Sequence, residues 1–136
     1  METFNLTAVV ECNRKGEFSI FSKENICDCA IGGYGRTLEE AQEDFKKCLN
    51  EMKELSHANI NSWPEKVEVH YIYEASAIFT ILDTINVSRF AKFAGINASK
   101  LRAYSRGVCK PSKPTKAKIE VALHNLSRTL AAISLS

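Results

Sequence analysis

The sequence predicts an α+β protein in which a β-β-β-α-β unit is followed by an all-helical unit. Apolar side chains alternate at every second residue in the first half, whereas spacing of three and four residues prevails in the second. The charge also changes sign, because residues 1–66 carry eight Lys/Arg against twelve Asp/Glu and residues 67–136 carry ten against four. We therefore predict two domains, residues 1–74 and residues 75–136.

The first unit is predicted to contain four strands and one helix. Thr37 and Glu40 have the spacing of a capping box, and apolar residues then follow at helical steps as far as Leu55. This helix would cover one face of the sheet. The strand patterns lie at residues 4–12, 17–22, 26–31 and 67–73. The connecting segments, predicted as a turn, a glycine-rich break in the pattern and a loop, are residues 13–16, 32–35 and 56–66.

The second unit is predicted to contain four helices. Asn86, Asn97 and Ser112 are suitable N-caps, because their side chains can accept backbone N–H groups. Gly95 and Gly107 are predicted to end two of the helices, since a helix C-terminus favours positive φ. The helices are predicted at residues 75–85, 87–94, 98–106 and from 113 onward. The last has a long apolar stripe formed by Ile119, Ala122, Leu123, Leu126, Leu130 and Ile133.

Residues 87–107 have the pattern of a helix-turn-helix. The connection is Gly95-Ile96-Asn97, and the small side chain of Ala91 would let the two helices cross closely. An ordinary helical hairpin with a basic outer face would fit the same pattern, so both structures stay open at this point. The apolar residues that would fill the core are Phe90, Ala94, Ile96, Leu101 and Tyr104.

The charge of this region favours DNA as a ligand. Residues 84–119 contain nine Lys/Arg and no Asp/Glu, although a solvated basic face without a ligand is the simpler alternative. Arg102 could pair with guanine, and Asn97 could approach a base or the backbone. Lys110 and Lys113 would suit phosphates. The candidate DNA-binding residues are Ser88, Asn97, Ser99, Lys100, Arg102, Ala103, Arg106, Lys110 and Lys113.

No catalytic, metal or cofactor site is predicted. The five cysteines are scattered, and Cys27 and Cys29 are too close for a typical zinc pair, so we expect reduced thiols in a cytoplasmic protein. Glu11, Asp28 and Asp44 are single carboxylates, whereas metal-dependent nuclease chemistry needs a cluster. The sequence has neither a secretory signal nor the run of about 20 apolar residues that would span a membrane.

The order of these parts resembles the HicB family of antitoxins, in the form with a C-terminal helix-turn-helix. In the first unit the resemblance depends on the strand pattern and on Gly33-Tyr34-Gly35-Arg36-Thr37-Leu38-Glu39-Glu40-Ala41. In the second it depends on Ile85-Asn86-Val87-Ser88-Arg89-Phe90-Ala91, Ala94-Gly95-Ile96-Asn97 and Leu101-Arg102-x-Tyr104-x-x-Gly107, followed by the long helix through Ala122-Leu123-His124. Residues 24–30 depart from the family, many members of which have a Pro/Gly-containing loop with a Cys before the helix.

The resemblance implies a function for each unit. The first, similar to a truncated ribonuclease-H-like fold, would bind and block a HicA-like toxin that cleaves messenger RNA. The second would bind operator DNA and repress the pair's own genes, in a homodimer or higher homo-oligomer. Three alternatives stay open, and the first two are an orphan transcriptional regulator and a protein-interaction module with no toxin partner and a vestigial helix-turn-helix. A divergent nuclease using Glu11 or Asp44 is a third.

Overall fold

The computed structural model describes residues 3–58, 63–81 and 85–135, which form a mixed α+β fold with a four-stranded sheet and five helices. The predicted order of elements is confirmed over these residues. Of the helix predicted at 75–85, residues 82–84 lie outside the described part of the chain. The elements are β1 (Thr3–Cys12), β2 (Phe18–Ser22), β3 (Gly32–Gly35), α1 (Leu38–Ala58), β4 (Lys66–Tyr73), α2 (Ala75–Ile81), α3 (Val87–Ala94), α4 (Ala98–Ser105) and α5 (Lys113–Ala131).

The strands are ordered β3-β2-β1-β4 across the sheet. β1 pairs antiparallel with β2 and parallel with β4, and β2 pairs antiparallel with β3. Asn13 forms the predicted turn between β1 and β2, because its Oδ1 accepts the backbone N–H groups of Lys15 and Glu17, each at 2.9 Å. α1 then connects β3 at one edge of the sheet to β4 at the other.

The third strand is not where the sequence pattern predicts it. Residues 26–31 contain a tight turn instead, closed by two backbone hydrogen bonds of 2.9 Å between Ile26 and Cys29. Cys27 and Asp28 have φ of 49° and 63°, a left-handed conformation that an extended strand does not contain. Ile26 and Ile31 are both buried. Their apolar character therefore reflects anchoring on either side of the turn, and the prediction of a strand here is wrong.

The glycine-rich segment predicted to break the strand pattern is itself β3. A Cβ at Gly33 would lie 2.4 Å from the backbone nitrogen of Phe45, and one at Gly35 would lie 2.4 Å from that of Ala41. The backbone of α1 can approach the strand this closely because the strand has no side chains there. α1 also continues to Ala58, into the segment predicted as a loop.

Two clusters of buried side chains hold the protein together. The first lies between α1 and the sheet and contains Leu6 and Phe45, both fully buried. The second contains side chains from α2, α3, α4 and α5, among them Leu101, which is also fully buried. α2 contributes to both, because Ala77 packs in the first cluster and Phe79 in the second.

The apolar stripe of α5 is buried along only part of its length. Ile119 and Ala122 belong to the second cluster, whereas Leu130 and Ile133 are 57% and 60% exposed. The predicted stripe therefore packs against the protein through its N-terminal part. Among the residues that the structure describes, none of the helices combines the length and apolar content needed to cross a membrane.

Candidate nucleic-acid interface

Asparagine side chains begin both helices of the segment predicted as a helix-turn-helix. Asn86 Oδ1 accepts the backbone N–H of Arg89 at 3.0 Å, at the start of α3. Asn97 Oδ1 accepts the N–H groups of Ser99 and Lys100 at 2.9 and 3.2 Å, at the start of α4. Each cap satisfies N–H groups that have no partner within the helix, and the prediction of both N-caps is confirmed.

Glycines follow both helices. Gly95 has φ of 73°, and the next N–H, of Ile96, donates to the carbonyl of Ala91 at 2.9 Å. Gly107 also has φ of 73°, and its N–H donates to the carbonyl of Tyr104 at 3.1 Å. Positive φ reverses the chain at both positions, so that α3 ends at Ala94 and α4 at Ser105, one residue earlier than predicted.

α3 and α4 pack through the residues predicted as their core. Ala91 and Leu101 are fully buried, and Phe90 and Tyr104 are 3% and 8% exposed. The ring of Phe90 meets that of Phe79 on α2 edge to face, with centroids 5.9 Å apart. Ala94 and Ile96 are half-buried at the edge of the same cluster. These contacts fix the orientation of α4 relative to α3.

The outer side of this helix pair contains polar and basic side chains, together with Phe93 of α3, which is 56% exposed. Ser99, Lys100 and Arg106 are exposed on or just after α4, and Ser88 is exposed on α3. Arg102 and Ala103 are half-buried between them. Arg89 and Lys92 on α3 are exposed as well. The two were part of the basic run in the sequence but not among the candidate residues, and only their charge could have indicated them.

One hydrogen bond connects the candidate residues across the two helices. Arg102 Nη1 donates to Ser88 Oγ at 2.7 Å. The guanidinium group has five N–H donors, and one of them serves this bond. Because Ser88 lies on α3 and Arg102 on α4, the bond orients the guanidinium group at the junction between the helices.

The basic residues after α4 do not all lie on the same side. Lys113 is exposed at the start of α5, where Ser112 is the N-cap as predicted. Lys110 Nζ lies 3.9 Å from Glu74 Oε1, at the end of β4. Lys116 lines a cleft of about 490 Å³ together with Ile72 of the sheet. Lys110 and Lys116 thus lie next to the N-terminal unit.

The helix N-termini add to the positive charge of this region. α3, α4 and α5 have no acidic residue in their first turn, whereas α1 has Glu39 and Glu40. A helix N-terminus has a partial positive charge, which acidic side chains would otherwise offset. An anion approaching the N-terminus of α4 would therefore meet a helix dipole that no acidic side chain of the first turn offsets.

Carboxylates at the start of α1 support the backbone. The N–H of Glu40 donates to Thr37 Oγ1 at 3.1 Å, which is one of the two bonds of the predicted capping box, whereas Glu40 Oε2 accepts the N–H of Arg36, the residue before Thr37, at 2.9 Å. Asp44 Oδ2 accepts the N–H of Tyr34 on β3, also at 2.9 Å. No group of three or more His, Cys, Asp or Glu residues in the described ranges is arranged to hold a metal ion.

A comparison of the chain with protein-family models, with curated proteins and with solved structures finds no match. The interpretation of this surface therefore depends on its own geometry and charge. Two capped helices meet at a fixed angle, and their outer side contains basic and hydroxyl groups around one oriented guanidinium. Groups of this kind bind phosphates and the edges of bases.

Proposed function

We propose that this protein is a DNA-binding antitoxin that represses its own operon through α3 and α4 and neutralises a HicA-like, mRNA-cleaving toxin through its N-terminal unit. The DNA-binding part depends on one observation above all. An Asn side chain caps each of α3 and α4, and Leu101 is fully buried in the core that the two helices share. On their outer side, Arg102 of α4 is hydrogen-bonded to Ser88 of α3.

In this proposal α3 and α4 are the two helices of a helix-turn-helix, and α4 is the recognition helix. The N-terminal residues of a recognition helix contact base edges in the major groove. Asn97, Ser99 and Lys100 occupy those positions in α4. Arg102 follows one turn later, and an oriented guanidinium is the usual partner of guanine O6 and N7. Ser88 acts mainly through Arg102.

Phosphate contacts would come from the cations around this centre. Lys100, Arg106 and Lys113 are exposed, and the N-terminus of α4 adds the partial positive charge of its helix dipole. Each neutralised phosphate steepens the dependence of log affinity on log salt by about 0.9. Lys110 is a weaker candidate because its ammonium lies 3.9 Å from a carboxylate of Glu74.

The N-terminal unit would bind the toxin. Residues 1–66 have an excess of acidic over basic side chains, and a small protein that cleaves RNA needs a basic surface to hold its substrate. The four-stranded mixed sheet with α1 on one face is compatible with a truncated ribonuclease-H-like fold. An acidic unit of this type could cover the RNA-binding surface of such a toxin.

DNA binding can be tested by fluorescence anisotropy on a labelled duplex from the region upstream of the gene, at several salt concentrations. We expect Arg102→Ala to bind more weakly and to lose preference for the upstream sequence over random DNA. The matched variant Lys113→Ala should weaken binding to both duplexes equally and lower the salt slope by about one.

Two results would contradict the DNA-binding proposal. One is the absence of binding by the folded protein at low salt, and the other is identical behaviour of the two variants. The toxin half is tested separately, by co-expression with the product of the adjacent gene. A short basic protein that copurifies and loses RNase activity in the complex supports it, and an adjacent product that stays unbound or fully active contradicts it.

A further inference from the structure

Cys12 lies at the end of the sheet where β4 leads into α2. β1 and β4 are parallel, and the N–H of Glu74, the residue after β4, donates to the carbonyl of Val10 on β1 at 2.9 Å. Cys12 follows two residues later and ends β1. It is half-buried, and its Sγ donates to the carbonyl of the adjacent Asn13 at 3.6 Å. The thiol of Cys12 is therefore next to the connection between β4 and α2.

The loop between α4 and α5 lies against the same connection on both sides of Cys109. Before Cys109, a Cβ at Gly107 would lie 4.0 Å from Cβ of Ser76, in the first turn of α2. After it, Lys110 Nζ lies 3.9 Å from Glu74 Oε1. Because its neighbours in the chain are held beside the start of α2, Cys109 is also held there, although it belongs to the helical unit.

The two cysteines line one small cleft, whose volume is about 190 Å³. Both are reduced thiols in this structure, and Cys109 is the more exposed of the two. A disulfide needs the two Cα atoms to approach to roughly 4.4–6.8 Å. Cys109 belongs to no helix or strand, so it can approach Cys12 without breaking either kind of element.

The other three cysteines lie elsewhere in the fold. Cys27 and Cys29 are in the turn that follows β2, and the segment before that turn is bonded to Thr7. Thr7 precedes Cys12 by five residues of β1, which is about 17 Å along a strand. Cys48 is on α1, and none of the three lines the cleft. The cleft therefore brings together one pair of thiols from opposite ends of the sequence.

We propose that Cys12 and Cys109 are a redox-sensitive pair, which forms a reversible disulfide when a hydroperoxide oxidises the protein. The bond joins the end of β1 to the loop that follows α4, and it thereby ties the sheet to the helical unit. Disulfides of reducing compartments are mostly of this transient, redox-sensing kind. The proposal does not depend on binding of DNA or of a toxin.

The reaction with hydrogen peroxide takes two steps. Cys109 reacts first because it is exposed: its sulfur attacks one peroxide oxygen, the O–O bond breaks, and a sulfenic acid and one water form. The sulfur of Cys12 then attacks the sulfenic sulfur, the S–O bond breaks, and a second water leaves. The two thiols lose two electrons to the peroxide, and their protons end in the two waters. A thiol reductant reverses the reaction by exchange.

The pairing can be tested by treating the folded chain with hydrogen peroxide and mapping its peptides by mass spectrometry without reductant. We expect two of the five thiols to be lost, Cys12 to be joined to Cys109, and dithiothreitol to restore both. The same treatment in urea is the control for geometry, because loop closure in an unfolded chain favours cysteines close in sequence. Disulfides formed in urea should therefore join cysteines such as Cys27 and Cys48.

Three variants separate the roles of the cysteines. Cys109→Ser should form no disulfide, and Cys12→Ser should stop at the sulfenic acid of Cys109, which a dimedone probe captures. Cys48→Ser is the matched control, since it also removes one half-buried thiol and should form the disulfide like the wild type. Circular dichroism checks that each variant is folded. Cys109→Ser keeps the test decisive if Cys12→Ser does not fold, because Cys109 is exposed.

Three results would overturn the proposal. The first is a folded protein in which Cys12 stays reduced while Cys109 is oxidised alone to a sulfinic acid. The second is a set of disulfides that is the same in the folded protein as in urea. The third is a covalent dimer joined through Cys109, which would show that Cys12 is out of reach. None of these results tests the proposed function, which the binding experiments address separately.

Discussion

The two halves of the molecule use glycine for different reasons. Gly33 on β3 has no unusual backbone angle, yet a Cβ there would lie 2.4 Å from the backbone nitrogen of Phe45. Gly95 after α3 has φ of 73°, and a Cβ there would meet nothing within 4 Å. The first glycine allows two layers to touch, and the second allows the chain to turn. Only the second requirement is local, and only the second is visible in the sequence.

The helices of the two halves differ in the same way. α1 has 21 residues and packs along the sheet, so its position follows from a long apolar stripe. α3 and α4 have eight residues each, which is too short to be stable without caps and a shared core. Their arrangement depends on Asn86, Asn97 and Gly95 at the ends and on Leu101 in the middle. The second unit is thus determined more by its end signals than by its length.

The largest expected effect on stability comes from replacing Gly33 with alanine, and the same replacement at Gly95 tests the other role of glycine. Gly33→Ala should lower the free energy of unfolding by about 3 kcal/mol or more, because the atoms that it meets are backbone atoms of α1 and cannot move independently. Gly95→Ala should lower it by about 1 kcal/mol, the cost of placing a side chain at positive φ in open space. Urea denaturation measures both values.

Equal losses for the two variants would show that the close contact between β3 and α1 is more adaptable than the structure indicates. A loss at Gly95 larger than that at Gly33 would reverse the comparison. Gly16, in the turn between β1 and β2, resembles Gly95, because its φ is 81° and a Cβ there would meet nothing within 4 Å. Gly16→Ala should therefore behave like Gly95→Ala.

The wrong prediction of the third strand also results from a contact between α1 and the sheet that the sequence does not show. The apolar content of residues 26–31 predicts a strand, and the glycines of residues 32–35 predict a break. In the structure, residues 26–31 contain a turn and residues 32–35 form β3. Ile26 and Ile31 are buried on either side of a turn, which looks like strand patterning when the contacts are unknown. The glycines form a strand because α1 lies on them. Contacts between layers are not encoded in local spacing, so no local pattern could have shown this.

In the candidate site, the sequence predicted the parts but not their connection. Asn86, Asn97 and Gly95 have the predicted roles because caps depend on residues within one helical turn. The bond between Arg102 and Ser88 joins residues on different helices, and it exists only at the observed crossing of α3 and α4. The ion pair of Lys110 with Glu74 and the position of Lys116 in a cleft beside the sheet depend likewise on how the two units meet.

A medium effect is expected at the cap of α4. Asn97→Ala removes the acceptor for the N–H groups of Ser99 and Lys100 and should lower the free energy of unfolding by about 1 kcal/mol. Asn97→Asp keeps an acceptor and should unfold with nearly the wild-type free energy. It places a negative charge at the proposed DNA surface, however, and should bind DNA more weakly than the wild type.

This pair of variants separates the structural role of Asn97 from its proposed role in binding. Thermal or urea denaturation gives the first, and anisotropy with duplex DNA gives the second. If Asn97→Asp loses as much stability as Asn97→Ala, the cap is not the main contribution of this side chain. If it binds DNA as tightly as the wild type, the N-terminus of α4 does not face a phosphate or base.

The smallest expected effect distinguishes the two units by their response to acid. The caps of α3, α4 and α5 are neutral side chains, Asn86, Asn97 and Ser112. In the N-terminal unit, Glu24 Oε1 instead accepts the backbone N–H of Thr7 at 2.6 Å, and this bond holds the pKa of the carboxyl below its ordinary value of 4.5. A lowered folded-state pKa contributes stability above the unfolded-state pKa and loses it as the pH falls through the folded-state pKa.

Glu24→Gln should therefore be slightly less stable than the wild type near neutral pH, and the difference should vanish in acid, below the folded-state pKa of Glu24. Urea midpoints for both proteins across this pH range measure the difference. Asn97→Ala is the control, because its loss of stability comes from a neutral cap and should not depend on pH. A difference between Glu24→Gln and the wild type that persists unchanged in acid would mean that the charge of Glu24 does not strengthen its bond to Thr7. A loss of stability in Asn97→Ala that changes with pH would mean that the response to acid is not confined to the sheet. The two units would then be more closely coupled than their separate cores suggest.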